Sequence, residues 1–372
     1  MSIDSVYVNN FRNLVEQRIQ LNRQLNFILG DNGSGKSSFL EAIFFVGHGK
    51  SFRTTKSDTV CHFDEEEFFI NVKDEEQLSF GLSKHKDNVS FLIKKQGNRI
   101  NKLSELADHF AVQIVTPESF KLFFGGAKER RKFLDLGLFH VEHKFSSSWK
   151  LFAKILKHRN ACIKSRLDNQ HFAYWTNEFI KASTVLAELR QAYCEQLANE
   201  LTIWLDILMP ELSSEITLSY FRGWSANKEL VDTLVSFKEK EFKQGFTAAG
   251  AHKFDIKFLV SGKPIELKLS RGQQKLFLVA LTFAQMKLIE QVKQVKAILL
   301  IDDIGAELDT ESRSRFYQAL KLLNCQVAIS AIDIAAIQPL LDKLEQDKLK
   351  QQENYTMFHV EHGKISRIEE IG

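Results

Sequence analysis

Eight consecutive residues, Gly30-Asp31-Asn32-Gly33-Ser34-Gly35-Lys36-Ser37, place glycines, a lysine and a hydroxyl at the G-x-x-x-x-G-K-S spacing. Glycines let a backbone turn its N–H groups inward around phosphate oxygens. A helix opening at this lysine adds the positive end of its dipole. Lys36 can then reach the β and γ phosphates of ATP, and the Ser37 hydroxyl can ligate Mg²⁺. The metal also needs a carboxylate, and Ile298-Leu299-Leu300-Ile301-Asp302-Asp303 is an apolar run ending in two acids. A carboxylate at the C-terminal tip of a strand beside a phosphate loop is where Mg²⁺ finds its ligand, so Asp302 takes that role. Asp303 is placed to orient an attacking water. Lys36, Asp302 and Asp303 are the catalytic candidates, and ATP with Mg²⁺ the implied cofactors.

The loop needs a strand before it and a helix after it. Leu25–Leu29 reads as the strand and Ser38–Val46 as an apolar-periodic helix. Residues 3–8 alternate apolar and polar, and further strands are expected at 68–72, 78–80 and 89–93. Ala297–Ile301 and Gln326–Ile329 read as buried parallel strands. Between these regions the texture is helical. Trp149, Phe152, Leu156, Ile163 and Leu167 form one series; Phe172, Trp175, Phe179, Ala182, Leu186, Leu189 and Tyr193 form a second with a heptad rhythm. A polar break at Asp168-Asn169-Gln170 separates them, which predicts an antiparallel helical hairpin inserted into an α/β domain. The expected divisions are 1–114 and 240–372 for the two parts of the α/β head, and 115–239 for the helical lobe. The segment Asp342–Glu353 is highly charged and reads as solvated.

With 50 Lys and Arg against 47 Asp and Glu, the net charge of +3 steers no nucleic acid by itself, and any basic footprint must be local. One candidate exists. Lys150, Lys154, Lys157 and Lys164 share a face of the first hairpin helix, and no acid interrupts the stretch from Lys144 to Arg166. A phosphate-contact surface and a solvated lysine face fit these residues equally. The four cysteines are far apart with no CxxC pair, so neither a zinc site nor a redox motif is indicated. Phe-His-Val-Glu-His occurs at 139–143 and again at 358–362 in unrelated surroundings, without the further ligands a metal site needs. The N-terminus lacks signal-peptide order, and no apolar run approaches the roughly 20 residues of a membrane span, so a soluble cytoplasmic protein is expected.

Leu269-Ser270-Arg271-Gly272-Gln273-Gln274-Lys275 precedes the acid-tipped strand and opens an apolar helix. It resembles the ABC signature with Arg271 in place of the middle glycine, although a serine N-cap with a tolerated glycine fits the same residues. Glu307-Leu308-Asp309 resembles the D-loop of that class, and Val8-Asn9-Asn10-Phe11-Arg12-Asn13 resembles the opening of SMC-type heads. Together with Gly47–Thr54, Pro117-Glu118-Ser119, Gly125-Gly126, Arg130–Asp135, the Ser270–Lys275 block and Met357–Lys364, the chain resembles the RecF family over almost its whole length.

The resemblance implies an ABC/SMC-type ATPase head with an inserted helical lobe. It adds Arg12 and Ser38 to the nucleotide-binding set of Gly30 through Ser37, and places Ser270, Arg271, Gly272 and Gln273 against the nucleotide of a second protomer. It further implies an ATP-dependent homodimer on double-stranded or gapped DNA, slow hydrolysis, partners of the RecO and RecR type that assist recombinase loading, and a place in replication restart and the DNA-damage (SOS) response. The sequence departs from the family at Ala127 and at Gly250-Ala251-His252-Lys253, where a proline and Gly-Pro-His-Arg are usual. Ser330-Ala331 stands where the ABC switch histidine is absent, and Gln113 is the candidate glutamine-loop residue. Asp303 is one methylene shorter than the glutamate of most ABC heads, which favours ATP as a switch over rapid turnover. A transporter-type subunit is excluded by the long separation of Lys36 from Ser270, and a full-length SMC protein by the shortness of the hairpin.

Overall fold

Strands without charged side chains on either face need cover on both. Here four of them, Leu25–Leu29, Val112–Val115, Ile298–Ile301 and Gln326–Ala331, make up the middle and one edge of the sheet that carries the chemistry. β3 (Leu25–Leu29), β8 (Val112–Val115), β12 (Ile298–Ile301), β13 (Gln326–Ala331) and β14 (Tyr355–Glu361) run parallel; β15 (Lys364–Arg367) pairs antiparallel at one edge. The order is β15-β14-β3-β13-β12-β8 among the described residues. Every residue of β12 and β13 is buried. The computed structural model describes residues 2–54, 56–86, 91–100, 105–106, 109–167, 170–294, 297–303, 308–346 and 355–368.

A second sheet is antiparallel, with the order β2-β1-β4-β5-β6-β7: β1 (Ile3–Asn9), β2 (Gln17–Gln20), β4 (Glu67–Asp74), β5 (Ser79–His85), β6 (Leu92–Lys95) and β7 (Asn98–Ile100). Burial alternates along β4, as in a sheet with one face on the core. Between the sheets lies α1 (Lys36–His48), buried without interruption from Ser38 to Gly47. Its residues share one core with Val6, Val8, Phe68, Ile70 and Val72 on one side and Val112, Ile298, Leu300 and Ala328 on the other. A helix apolar all round requires this sandwiched position.

These elements belong to one compact unit, Met1–Phe120 with Ser270–Gly372; Lys121–Leu269 forms the other. The first unit also contains α6 (Arg271–Lys293), α7 (Thr310–Leu322) and α8 (Ile334–Gln346). Of the segment expected to be solvated, residues 342–346 complete α8, with Asp342 exposed, while 347–354 lie outside the described residues.

In the second unit, α2 (Ala127–Val141) precedes the expected hairpin, α3 (Phe145–Lys164) and α4 (Gln170–Leu208), whose seam buries Phe152, Phe179, Leu186 and Tyr193. Trp149 and Leu167 remain largely exposed. Then follow β9 (Ile216–Phe221), α5 (Leu230–Gln244), β10 (Asp255–Val260) and β11 (Lys263–Pro264). The boundary expected at 239/240 falls inside α5. It moves to Leu269 because β10 pairs with β9 residue for residue from Asp255↔Phe221 to Val260↔Ile216, which ties 255–260 to the inserted unit. Among the described residues no helix is long and apolar enough to cross a membrane.

Candidate functional site

Register brings the chemistry together. β13 lies between β3 and β12, with Ile329 opposite Ile301 and Ser330 opposite Ile28. The C-terminal tips of these strands therefore deliver the phosphate loop, Ser330 and the acid pair to one edge, the usual ligand position in an α/β sheet. They line a cavity of about 660 Å³ with Arg12, Asn13, Asn32, Gly33, Gly35, Lys36, Ser37, Ser38, Asp302, Asp303 and Ser330 on its walls. Of the expected nucleotide-binding residues, Gly30, Asp31 and Ser34 do not line it.

Gly30 has φ 149, and a Cβ there would meet the Val360 carbonyl oxygen at 2.3 Å, so the loop closes only with glycine. Gly363 buttresses the same loop: its N–H donates to Ser34 O at 2.7 Å, and a Cβ would strike Asn13 O. Asn13 donates to Gly33 O at 3.2 Å and accepts from the Ser38 hydroxyl at 2.7 Å, fixing the loop to the start of α1. The buried Ser34 hydroxyl has no hydrogen-bond partner among the described residues.

Lys36 donates to Gly30 O at 2.5 Å and Asp31 O at 2.8 Å. Burial lowers its pKa, against the opposing pull of Asp302, Asp303 and Asp31. Asp302 Oδ1 accepts from Ser37 Oγ at 3.0 Å and from Ser330 Oγ at 2.6 Å. Ser330 Oγ accepts in turn from the Asp303 N–H at 3.0 Å. Asp303 has φ 56, and its carbonyl accepts from Lys275 Nζ at 2.7 Å.

Arg12 reaches the cavity wall, but its guanidinium is engaged within the protein. It makes a bidentate pair with the fully buried Glu41 at 3.0 and 2.7 Å and donates to Thr59 O at 2.7 Å. Ser51 also donates to Glu41, and Arg53 lies 3.8 Å away. On the same cavity wall Phe63 is 81% exposed, with its ring against His62 at 4.9 Å, an aromatic face able to take a flat base. Gln113 does not line the cavity: it sits within β8, opposite Leu299, so the glutamine-loop assignment has no geometric support.

The signature residues stand apart from this cavity. Ser270 caps α6: its hydroxyl accepts from Gln273 N at 3.3 Å, and the Gln273 side chain accepts from Ser270 N at 2.9 Å. Both the serine cap and the signature reading thus use the same geometry. Ser270 and Arg271 are exposed, Gly272 and Gln273 half-buried, and Arg271 lies over the Phe120 ring at 5.4 Å. Asp309 caps α7 by accepting from Ser312 N at 2.8 Å, a bond that lowers its pKa; Glu307 lies outside the described residues. In the other unit Lys150, Lys154, Lys157 and Lys164 are all exposed on α3. Arg159, within the same acid-free stretch, does not add to this face: it is 1% exposed and paired with Glu241 at 2.6 Å inside the core.

The RecF/RecN/SMC N terminal domain family matches residues 2–356. "DNA replication and repair protein RecF" of Colwellia psychrerythraea is 51% identical over 367 residues, covering 98% of this chain and 97% of that protein. The chain belongs to the RecF family. The protein of the same description from Pseudoalteromonas translucida is 39% identical, with 98% and 99% of the two chains covered. Among solved structures, the "recombination mediator protein RecF-ATP in RecFOR pathway" gives a TM-score of 0.83 at 23% identity over 99% and 97% of the chains. An Smc head domain from Pyrococcus furiosus gives 0.56 at 16% identity over 99% and 96%. These likenesses establish the ABC/SMC-type head fold for this RecF-family chain. Sequence reading missed three contributors to its site: Asn13, Ser330 and Phe63. The first two were in sight, one inside the Phe11-Arg12-Asn13 opening and one at the end of a recognised strand. Phe63 carried no motif.

Proposed function

We propose that this RecF-family chain binds Mg·ATP at the phosphate loop, dimerises in that state, and holds double-stranded or gapped DNA during repair and replication restart until slow hydrolysis releases it. The observation that carries the reading is the 3.0 Å separation of Ser37 Oγ from Asp302 Oδ1 beside Lys36. Adjacent ligands of an octahedral Mg²⁺, with bonds of about 2.0–2.1 Å, stand about 2.9 Å apart. Ser37 and Asp302 would hold the ion, which supplies charge neutralisation at the phosphates. Lys36 binds the β and γ phosphates once its ammonium leaves the Gly30 and Asp31 carbonyls. Loop N–H groups and the α1 N-terminus complete the cradle. Asp303 orients the attacking water, and stimulation of hydrolysis by DNA is expected.

Dimerisation is supported by the position of the signature. None of Ser270, Arg271, Gly272 and Gln273 lines its own cavity, and the α6 N-terminus is open to a neighbour's phosphates. Partners of the RecO and RecR type are supported by the RecFOR pathway named for the solved RecF relative, and a part in recombinase loading belongs to the same proposal. Sedimentation with and without ATP tests the reading. Ser270→Arg should bind ATP nearly as the parent does and remain monomeric; a variant that still dimerises with ATP removes the signature from the interface.

A further inference from the structure

The tip of β12 is clamped on both peptide groups of Asp303. On one side the Asp303 N–H donates to Ser330 Oγ at 3.0 Å, and that hydroxyl donates to Asp302 at 2.6 Å. On the other side the Asp303 carbonyl accepts from Lys275 Nζ at 2.7 Å. Between the two clamps the backbone takes φ 56, a left-handed conformation that is uncommon for L-residues other than asparagine and aspartate. Lys275 is itself 7% exposed, so its ammonium must be met by acceptors, and the Asp303 carbonyl is one.

Lys275 stands on the helix that Ser270 caps. From Gln274 to Ile289 that helix is almost continuously buried, and its first turn is closed by the reciprocal Ser270–Gln273 bonds. Burial and capping make it a rigid piece. Five residues of helix put Lys275 about 7.5 Å along the axis from Ser270, so a displacement at the cap is felt at the lysine.

We propose that Lys275 is a positioning residue for hydrolysis: it ties the signature helix to the backbone of Asp303 in its own chain. Seating the signature on a neighbouring protomer's nucleotide then sets the water-orienting carboxylate of the chain's own site, so that each site is switched on through the other. This rests on the dimeric reading above and adds to it a route inside one chain.

Lys275→Met removes the ammonium and keeps the apolar stem. The expected result is a single-turnover hydrolysis rate at least about tenfold lower, the scale of a sub-ångström misplacement, with ATP affinity and the ATP-dependent dimer retained. The Hill coefficient for ATP in the hydrolysis rate should fall toward one, and Lys275→Arg should recover part of the rate. In an Asp303→Asn background the methionine should cost nothing further, because both act through one carboxylate. Lys275→Gln, with a donor of shorter reach, gives the same readouts if the methionine variant does not fold. A parent-like rate in these variants, or an undiminished loss in the Asp303→Asn background, overturns the proposal. If Asp303→Asn alone hydrolyses like the parent, it is the assignment of Asp303 that fails instead.

Discussion

Under the proposed function Asp303 faces two demands at once, one on its carboxylate and one on its backbone. Its φ of 56 lies where aspartate and asparagine are several-fold enriched, because a short polar side chain clears the backbone and bonds locally. Glutamate lacks that advantage. Chain length alone frames Asp303 as a glutamate one methylene short, with turnover limited by reach. The left-handed backbone, held by Ser330 and Lys275, supplies a separate reason for aspartate. Asp303→Asn should preserve the backbone, bind ATP and dimerise, yet hydrolyse roughly a hundredfold more slowly or worse, the scale of a lost acid–base group. Asp303→Glu should also be slower than the parent, and less stable by on the order of 1 kcal/mol. Single-turnover rates and urea midpoints of the two variants decide this. A glutamate variant faster than the parent would show that reach, not backbone, limits turnover.

At the scale of elements, α3 is a helix with two distinct faces. Phe152, Ile155, Cys162 and Ile163 go to the core with Arg159, whose guanidinium reaches Glu241, Thr176 and Thr247. Lys150, Lys154, Lys157 and Lys164 go to solvent. If this face contacts phosphates it releases counterions, so replacing Lys150, Lys154 and Lys157 by alanine should then weaken duplex binding alike for all sequences. It should also reduce the slope of log K against log salt by about 0.9 per lost contact. An unchanged slope would leave the face as ordinary solvated surface. The hairpin and the phosphate loop were legible because each rests on a signal carried within a few turns: heptad spacing, glycine spacing, an unbroken apolar run. Arg159 was not, since its partner Glu241 is far along the chain and only folding brings them together. The pentapeptide Phe-His-Val-Glu-His makes the same point. Its first copy ends α2, its second lies in β14 opposite β3, so packing context and not local composition decides between helix and strand. Ser330 was visible as the end of a strand, but its link to Asp302 exists only through the register of β13 on β12.

For the molecule as a whole, two histidines make stability depend on pH, one in each unit. His48 closes α1, with its ring stacked on Phe44 at 4.0 Å and its Nε2–H donating to Val112 O at 2.8 Å. Removal from water pushes its pKa down to about 4, with Lys50 adding to the effect and the Val112 carbonyl opposing it. His252 donates to Thr247 O at 3.0 Å and is likewise pushed down to about 4 by burial, with Lys253, Arg159 and Arg131 adding to it and the Thr247 carbonyl opposing. Unfolded, both take up a proton near pH 6.5. Between about pH 6.5 and 4 the unfolded chain therefore binds protons that the folded chain refuses. Stability is complete above that window and falls as the pH drops through it. The shift bounds the loss at about 3 kcal/mol for each ring, whereas the depressed carboxyl of Asp309 acts only below its ordinary carboxylate range. His48→Gln keeps a neutral donor near Val112 at every pH. Its urea midpoint should fall less steeply than the parent's from pH 6.5 to 4 and run parallel to it above pH 7. Parallel curves through the acid window would mean that His48 is protonated in the folded protein as readily as in the unfolded chain.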